Sequence, residues 1–194
     1  MTELDPPTFG YPVVLDLRDV AVLVVGAGAV AARKVAGLAR AGARVRVVAS
    51  DVPTDFDRTV VTEVRERPYR PDDLDGVRLV ITVTGDAGVD AAVAADADAR
   101  GIWVNAADQP ADCSFILPAI ARRGRLSIAI STDGSSPALA RRLRDRSGEL
   151  LTDDVVTLAA ELAERRREVR ATGGSTEDVD WSTLIDAVIA PPGS

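Results

Sequence analysis

Residues 20–31, Val-Ala-Val-Leu-Val-Val-Gly-Ala-Gly-Ala-Val-Ala, constrain the fold more than any other stretch of the chain. Six apolar residues run without alternation into Gly26-Ala27-Gly28, and a helix-forming segment follows. An unbroken apolar run predicts a parallel strand buried on both faces, because a solvated face would call for polar residues at every second position. Gly26 permits a tight turn, Gly28 lets backbone amides approach a pyrophosphate, and Ala31 takes the third small position, where helix packs closely on strand. The phosphates would sit on unpaired amides at the helix N-terminus, at the positive end of its dipole. A G-x-G-x-x-A pattern is short, but the strand before it, the helix after it and a second apolar run at 44–49 point together to dinucleotide binding. The competing reading is a strand–helix turn without a ligand.

The same alternation continues along the chain. Strand 20–25 leads to helix 30–41, with Gly42 where a helix C-cap glycine belongs. Strand 44–49, a loop at 51–58 broken by Pro53, a β-branched strand at 59–64 and a turn with short helix at 68–76 come next. A buried strand at 77–84 precedes an alanine-rich helix at 86–100, with Asp86 as N-cap and Gly101 as stop. Strand 102–105 completes the series. The pattern predicts an α/β fold with a doubly wound, Rossmann-type parallel sheet over 1–112. Residues 1–12 read as an irregular lead-in, followed by a short extended run at 13–15.

The pattern changes after Asp108. Residues 114–121 flank Pro118, which disfavours a regular helix. A short strand at 126–130 and an amphipathic helix at 137–151, carrying Leu139, Leu143 and Leu150, predict a small α+β region over 113–151. Pro137 suits the first helical position, with Ser135 or Ser136 as N-cap. Helices at 153–170 and 181–189, separated by a Gly-Gly-Ser break at 173–175, form a C-terminal helical segment over 152–194, frayed at 191–194.

Composition narrows the chemistry. The 194 residues carry a net charge of −7 and only 4% aromatics, which argues against a nucleic-acid partner and against base stacking. No run approaches the ~18 apolar residues of a membrane span. The first seven residues lack the basic and apolar regions of a signal peptide, and one cysteine makes no internal disulfide, so the expected compartment is cytoplasmic. There is no histidine, so with a single cysteine no zinc site is expected, and proton chemistry falls to Asp, Glu, Lys, Tyr or water. Lys34 is the one lysine; every other cation is arginine.

Val25-Gly26-Ala27-Gly28, Ala32-Arg33-Lys34, Val104-Asn105-Ala106-Ala107-Asp108, Phe115-Ile116-Leu117-Pro118 and Ala129-Ile130-Ser131-Thr132-Asp133-Gly134-Ser135-Ser136-Pro137-Ala138-Leu139-Ala140 occur in this order. Together they resemble the precorrin-2 dehydrogenase family, the dehydrogenase–ferrochelatase part of sirohaem synthase, over residues 11–151. The resemblance implies oxidation of precorrin-2, a tetrapyrrole with eight carboxylates, to sirohydrochlorin with NAD as cofactor. In some members Fe²⁺ insertion follows. It also implies a symmetric homodimer that exchanges elements of the second region. Strand 126–130 has no obvious partner in its own half, which agrees with such an exchange. Two other readings stay open: an NAD-sensing regulatory module, and a structural domain that binds no cofactor.

The expected cofactor contacts are Gly26, Gly28, Ala29, Val30, Ser50, Asp51, Thr82, Thr84 and Asn105. Asp51, about 20 residues past Gly28, would bond a ribose hydroxyl and reject the phosphate of NADP. Thr82 and Thr84 otherwise read as β-branched strand filling. Asp108 lies just past a strand's carboxyl end, where it can take a proton. The resemblance places the family's essential aspartate there, although a turn aspartate before Pro110 would look the same. For the substrate, residues 119–146 hold seven arginines and two aspartates, whereas 85–118 hold one arginine and six aspartates. Arg122, Arg123 and Arg125 would form a basic wall facing the polyanion, or else a solvated face. Ser131, Thr132, Ser135 and Ser136 would form a carboxylate-binding nest before the helix, or a simple capping loop. Thr132 replaces a serine that some relatives phosphorylate.

Overall fold

The computed structural model describes residues 8–189, and the chain divides into two units, 1–117 and 118–194. The first seven residues and 191–194, about which the sequence raised expectations, lie outside the described residues.

In the first unit the elements run β1 (Ala21–Val25), α1 (Ala29–Arg40), β2 (Arg44–Ala49), β3 (Glu63–Glu66), β4 (Leu79–Thr82), α2 (Ala87–Asp98) and β5 (Trp103–Ala106). The five strands pair in parallel in the order β3-β2-β1-β4-β5. Successive side chains of a strand point to opposite faces. Val22 and Val24 therefore join Val45, Val47 and Ile81 against Ala31, Val35 and Leu38 of α1. Leu23 and Val25 join Val48 and Val80 against Val93, Ala94 and Ala97 of α2. Both faces of β1 are covered, which is why its sequence does not alternate. Each buried Val or Leu contributes about 1.5–3 kcal/mol by leaving water.

Each helix leaves part of its face of the sheet uncovered, and a short segment closes each gap. Beside β2 and β3 on the α2 face, a 3₁₀ turn at Pro71–Leu74 brings in Asp73, which has no exposed surface. Arg65 Nη1 (2.7 Å), Arg67 Nη2 (2.6 Å) and the Arg70 amide (2.9 Å) donate to its carboxylate. Burial pushes this carboxyl upward, but the Arg67, Arg70 and Arg65 hydrogen bonds outweigh it and hold it at about 2. Beside β5 on the α1 face, residues 113–115 fold back. Val104 N donates to Ser114 Oγ (2.7 Å), Ala106 N to Cys113 Sγ (3.2 Å), and Ser114 N to the Val104 carbonyl (2.9 Å).

One expectation changes here. The β-branched residues at 59–61 do not open a strand: Asp57 caps a 3₁₀ turn at Arg58–Val60, and β3 starts at Glu63. Its charged residues suit a strand at the border of a sheet. Residues 13–15, expected as an extended run, pair with no strand, and Val14 is almost fully exposed.

The second unit contains β6 (Ala119–Arg123), β7 (Leu126–Ile130), α3 (Pro137–Gly148), α4 (Asp153–Ala171) and α5 (Ser182–Ile189). The expectation that 126–130 lacks a partner in its own half is overturned. β6 and β7 form an antiparallel hairpin, Ala119 opposite Ile130 and Arg123 opposite Leu126, with Gly124 turning at φ +56°. Pro118 ends the irregular stretch just before β6 rather than interrupting it. α3 packs on the hairpin so closely that a Cβ at Gly148 would lie 3.2 Å from that of Ala121. Ser136 is the N-cap of α3, accepting from Leu139 N (3.2 Å). The helix ends at Gly148, so Leu150 falls in the following turn.

Candidate active site

Sheet order places the reversal point between β1 and β4, and ligands of open α/β sheets bind beyond the carboxyl ends of the strands at such a point. β1 delivers Gly26 there with φ +111°, a conformation glycine alone adopts without strain. A Cβ at Gly26 would stand 2.5 Å from the Val83 carbonyl oxygen, so the β1 and β4 ends touch backbone to backbone. Gly28, the N-cap of α1, differs: a Cβ there would meet nothing within 4 Å. The first turn of α1, with Ala29 and Val30 exposed, carries amides that no helical carbonyl can accept. This arrangement fits a pyrophosphate: an amide cluster at a helix start, with space where a side chain would stand.

Ser50 and Asp51 follow β2 and are both exposed, on the side where a ribose hydroxyl would lie. Beyond β4 the structure departs from expectation. Thr82 is fully buried; its hydroxyl donates to Asp90 of α2, and its carbonyl accepts from Ala107 N (2.9 Å). Thr82 therefore presents nothing to a ligand. Thr84 is half-buried, and Asp90 Oδ1 accepts from both its amide (3.1 Å) and its hydroxyl (2.9 Å). Asp90, which sequence reasoning passed over as one more helical aspartate, thus shapes the loop that touches Gly26.

Asn105 is also turned inward. It is nearly buried, its Oδ1 accepts from Lys34 Nζ (3.0 Å), and its Nδ2 donates to the Phe115 carbonyl (3.0 Å). Both ends of the amide are committed, so its expected cofactor contact becomes an internal one. Lys34 is the functional candidate that sequence reasoning noticed as the single lysine and within the Ala32-Arg33-Lys34 motif, without giving it a role. Burial lowers its basicity, opposed by the negative charge of Asp108. Cys113 is half-buried, and burial holds its thiol above the usual range. Asp108 stands past β5, exposed, with φ +61°. An aspartate tolerates that left-handed conformation better than most side chains, and it turns the carboxylate out at the strand end.

The expected substrate residues lie in the second unit. Arg122 and Arg125 are exposed on the hairpin. Arg123 is used internally: Nη1 donates to the Leu151 carbonyl (2.8 Å), and Nη2 lies 2.7 Å from Asp153. In the loop before α3, Ser131 Oγ accepts from Asp133 N (3.1 Å), and Thr132 Oγ1 donates to the Ser136 carbonyl (3.1 Å). Ser136 caps α3, and Ser135 stays exposed. Most of these hydroxyls therefore organise the loop, leaving Ser135 and the loop amides as its outward groups.

Among the described residues, no helix is long and apolar enough to cross a membrane. Residues 123–146 match the family described as "Sirohaem biosynthesis protein central". The chain is 40% identical over 183 residues to siroheme synthase of Methylobacillus flagellatus, which covers 92% of the chain and 39% of the relative. It is 39% identical over 188 residues to siroheme synthase of Chromobacterium violaceum, covering 93% of the chain and 39% of the relative. The chain thus spans about two fifths of the length of these relatives. The solved structure of SirC, a precorrin-2 dehydrogenase, superposes with a TM-score of 0.71 at 29% identity, covering 92% of this chain and 94% of that one. Residues 13–119, the glycine turn and the whole parallel sheet included, match the NAD_binding_7 family, described as "Putative NAD(P)-binding", and the chain belongs to that family.

Proposed function

We propose that the chain is an NAD⁺-dependent dehydrogenase that oxidises precorrin-2 to sirohydrochlorin. One observation carries the reading: an amide-lined glycine turn and an outward aspartate, Asp108, stand at the carboxyl ends of one sheet. The likeness to SirC over nearly its whole length supports the substrate. NAD⁺ would be held by the turn at Gly26 and Gly28, the amides of Ala29 and Val30, and Ser50, Asp51 and Thr84 around them. Bound NAD⁺ supplies the hydride acceptor. Asp108 receives the proton that leaves the macrocycle as the hydride departs, the role of a positioned general base. Arg122 and Arg125 and the loop around Ser131, Thr132 and Ser135 bind substrate carboxylates, while Arg123 and Ser136 hold those elements in shape.

The working form is a homodimer. Leu139 and Leu143, one turn apart on α3, are half- and two-fifths exposed, which supports burial against a second copy. The division into 1–112, 113–151 and 152–194 describes a cofactor domain, a dimerisation region and a helical segment, and the compartment is the cytoplasm.

An anaerobic assay with precorrin-2 and NAD⁺ tests the activity. Sirohydrochlorin should appear together with NADH; no NADH above a substrate-free control would overturn the reading. Adding Fe²⁺ afterwards separates a dehydrogenase from one that also makes sirohaem. Light scattering should give twice the mass of the chain, and a fully active monomer would remove the dimer.

A further inference from the structure

Resting on the dehydrogenase reading, we infer that Lys34 is a specificity-determining residue: its ammonium, aimed by Asn105, takes a carboxylate of the acidic substrate at the carboxyl end of β5. Helical side chains lean toward the helix N-terminus. From the second turn of α1, Lys34 therefore reaches toward the carboxyl ends of the strands, and Nζ ends 3.0 Å from Asn105 Oδ1. That amide cannot swing away, because its Nδ2 is tied to the Phe115 carbonyl at 3.0 Å. The cation is thus fixed on the β5 side of the crevice. The amides that suit phosphates stand at the start of α1, and the exposed Asp51 stands across the sheet after β2.

The surroundings favour an anionic visitor. Lys34 is half-buried, its partner is a neutral amide, and residues 85–118 carry six aspartates against one arginine. An octacarboxylate entering such a region meets repulsion unless a fixed cation receives it. The titratable and charged groups facing the ammonium are Asp108 beyond β5, the Cys113 thiol in the fold-back segment and Arg33 on α1. Asp108 favours its charge and Arg33 opposes it; burial dominates and lowers its basicity. Cys113 is held as the neutral thiol by burial, so Asp108 is the main counter-charge until substrate arrives.

The test uses the full chain, precorrin-2 and NAD⁺. Lys34→Gln keeps a donor for Asn105 and removes the charge; Lys34→Arg keeps the charge. Lys34→Gln should raise KM for precorrin-2 by ~10- to 100-fold, the range of one charge-assisted hydrogen bond, with kcat changed far less. NAD⁺ affinity by calorimetry and the melting temperature should stay at the wild-type values. In the wild type, KM should rise with pH below the ordinary lysine range around 10.5. In Lys34→Arg that rise should vanish, since a guanidinium keeps its charge. Equal KM for wild type and Lys34→Gln at every pH overturns the lysine assignment alone. Parallel losses of NAD⁺ affinity and melting temperature in Lys34→Gln overturn it too, by showing a structural role. A wild-type chain that neither binds nor oxidises precorrin-2 overturns the dehydrogenase reading and the lysine assignment with it.

Discussion

Two polar clusters close the two gaps that α1 and α2 leave on the sheet, and they are compensated in opposite ways. At Asp73 a fully buried carboxylate receives two arginines and a backbone amide, and its charge is held far below the usual carboxylate range. At Lys34 a half-buried ammonium receives one neutral amide, and burial works against its charge. A buried charge surrounded by matched partners is finished as it stands, whereas one with a neutral partner gains from any anion that arrives. The first cluster belongs to folding. The second belongs to the ligand side of the sheet, where Gly26, Asp108 and the start of α1 also lie.

The contrast makes separable predictions. The largest effect should come from the glycine turn. Gly28→Val should abolish NAD⁺ binding with little change in melting temperature, since its side chain enters open space. Calorimetry showing wild-type affinity would break the ligand assignment of this end. Next, Asp73→Ala should cost about 3 kcal/mol of stability by removing the buried carboxylate on which Arg67, Arg65 and the Arg70 amide converge, with NAD⁺ affinity per folded molecule unchanged. The pH sense is fixed: a carboxyl held at about 2 against 3.8 stabilises fully above about pH 4. Its contribution is lost as pH falls through about 2. Denaturant titrations of wild type and Asp73→Asn should therefore converge between these values. Asp108→Ala should lower turnover by ~10²-fold or more and leave both stability and NAD⁺ affinity intact; normal turnover would remove it from the chemistry. The smallest effect is expected at Asp51, where alanine should shift the NAD⁺/NADP⁺ preference by ~10-fold through loss of one charged hydrogen bond. Wild-type discrimination in Asp51→Ala would assign the choice to other groups.

The parallel sheet was legible because its signals are local. The 20–31 stretch states strand, turn and helix within twelve residues, and alanine-rich α2 carries its own cap in Asp86. What stayed hidden depends on distant partners. Asn105 looks like a strand-end residue until Lys34, 71 positions earlier, is seen to occupy it. Thr82 looked available because it ends a strand on the expected cofactor side, yet Asp90 draws its hydroxyl inward. β3 was misplaced because a charged border strand lacks the apolar pattern that locates buried ones. β6 was missed because Pro118 drew attention away from the five residues after it, whose pairing only the hairpin reveals.

The fold-back at 113–115 has a consequence for how the molecule behaves at high concentration. β5 ends the sheet, and a terminal strand with vacant amides is a template on which other chains can grow. Here the amides of Val104 and Ala106 are already taken by Ser114 Oγ and Cys113 Sγ, contributed by residues only 10 and 7 positions away. The Val104 carbonyl is taken as well, by Ser114 N, so a short fold-back rather than a sixth strand closes this stretch of β5. The thiol that performs part of this sealing is correspondingly withdrawn from exchange. Self-assembly through this border, into fibrils or swapped sheets, would first have to peel the segment away.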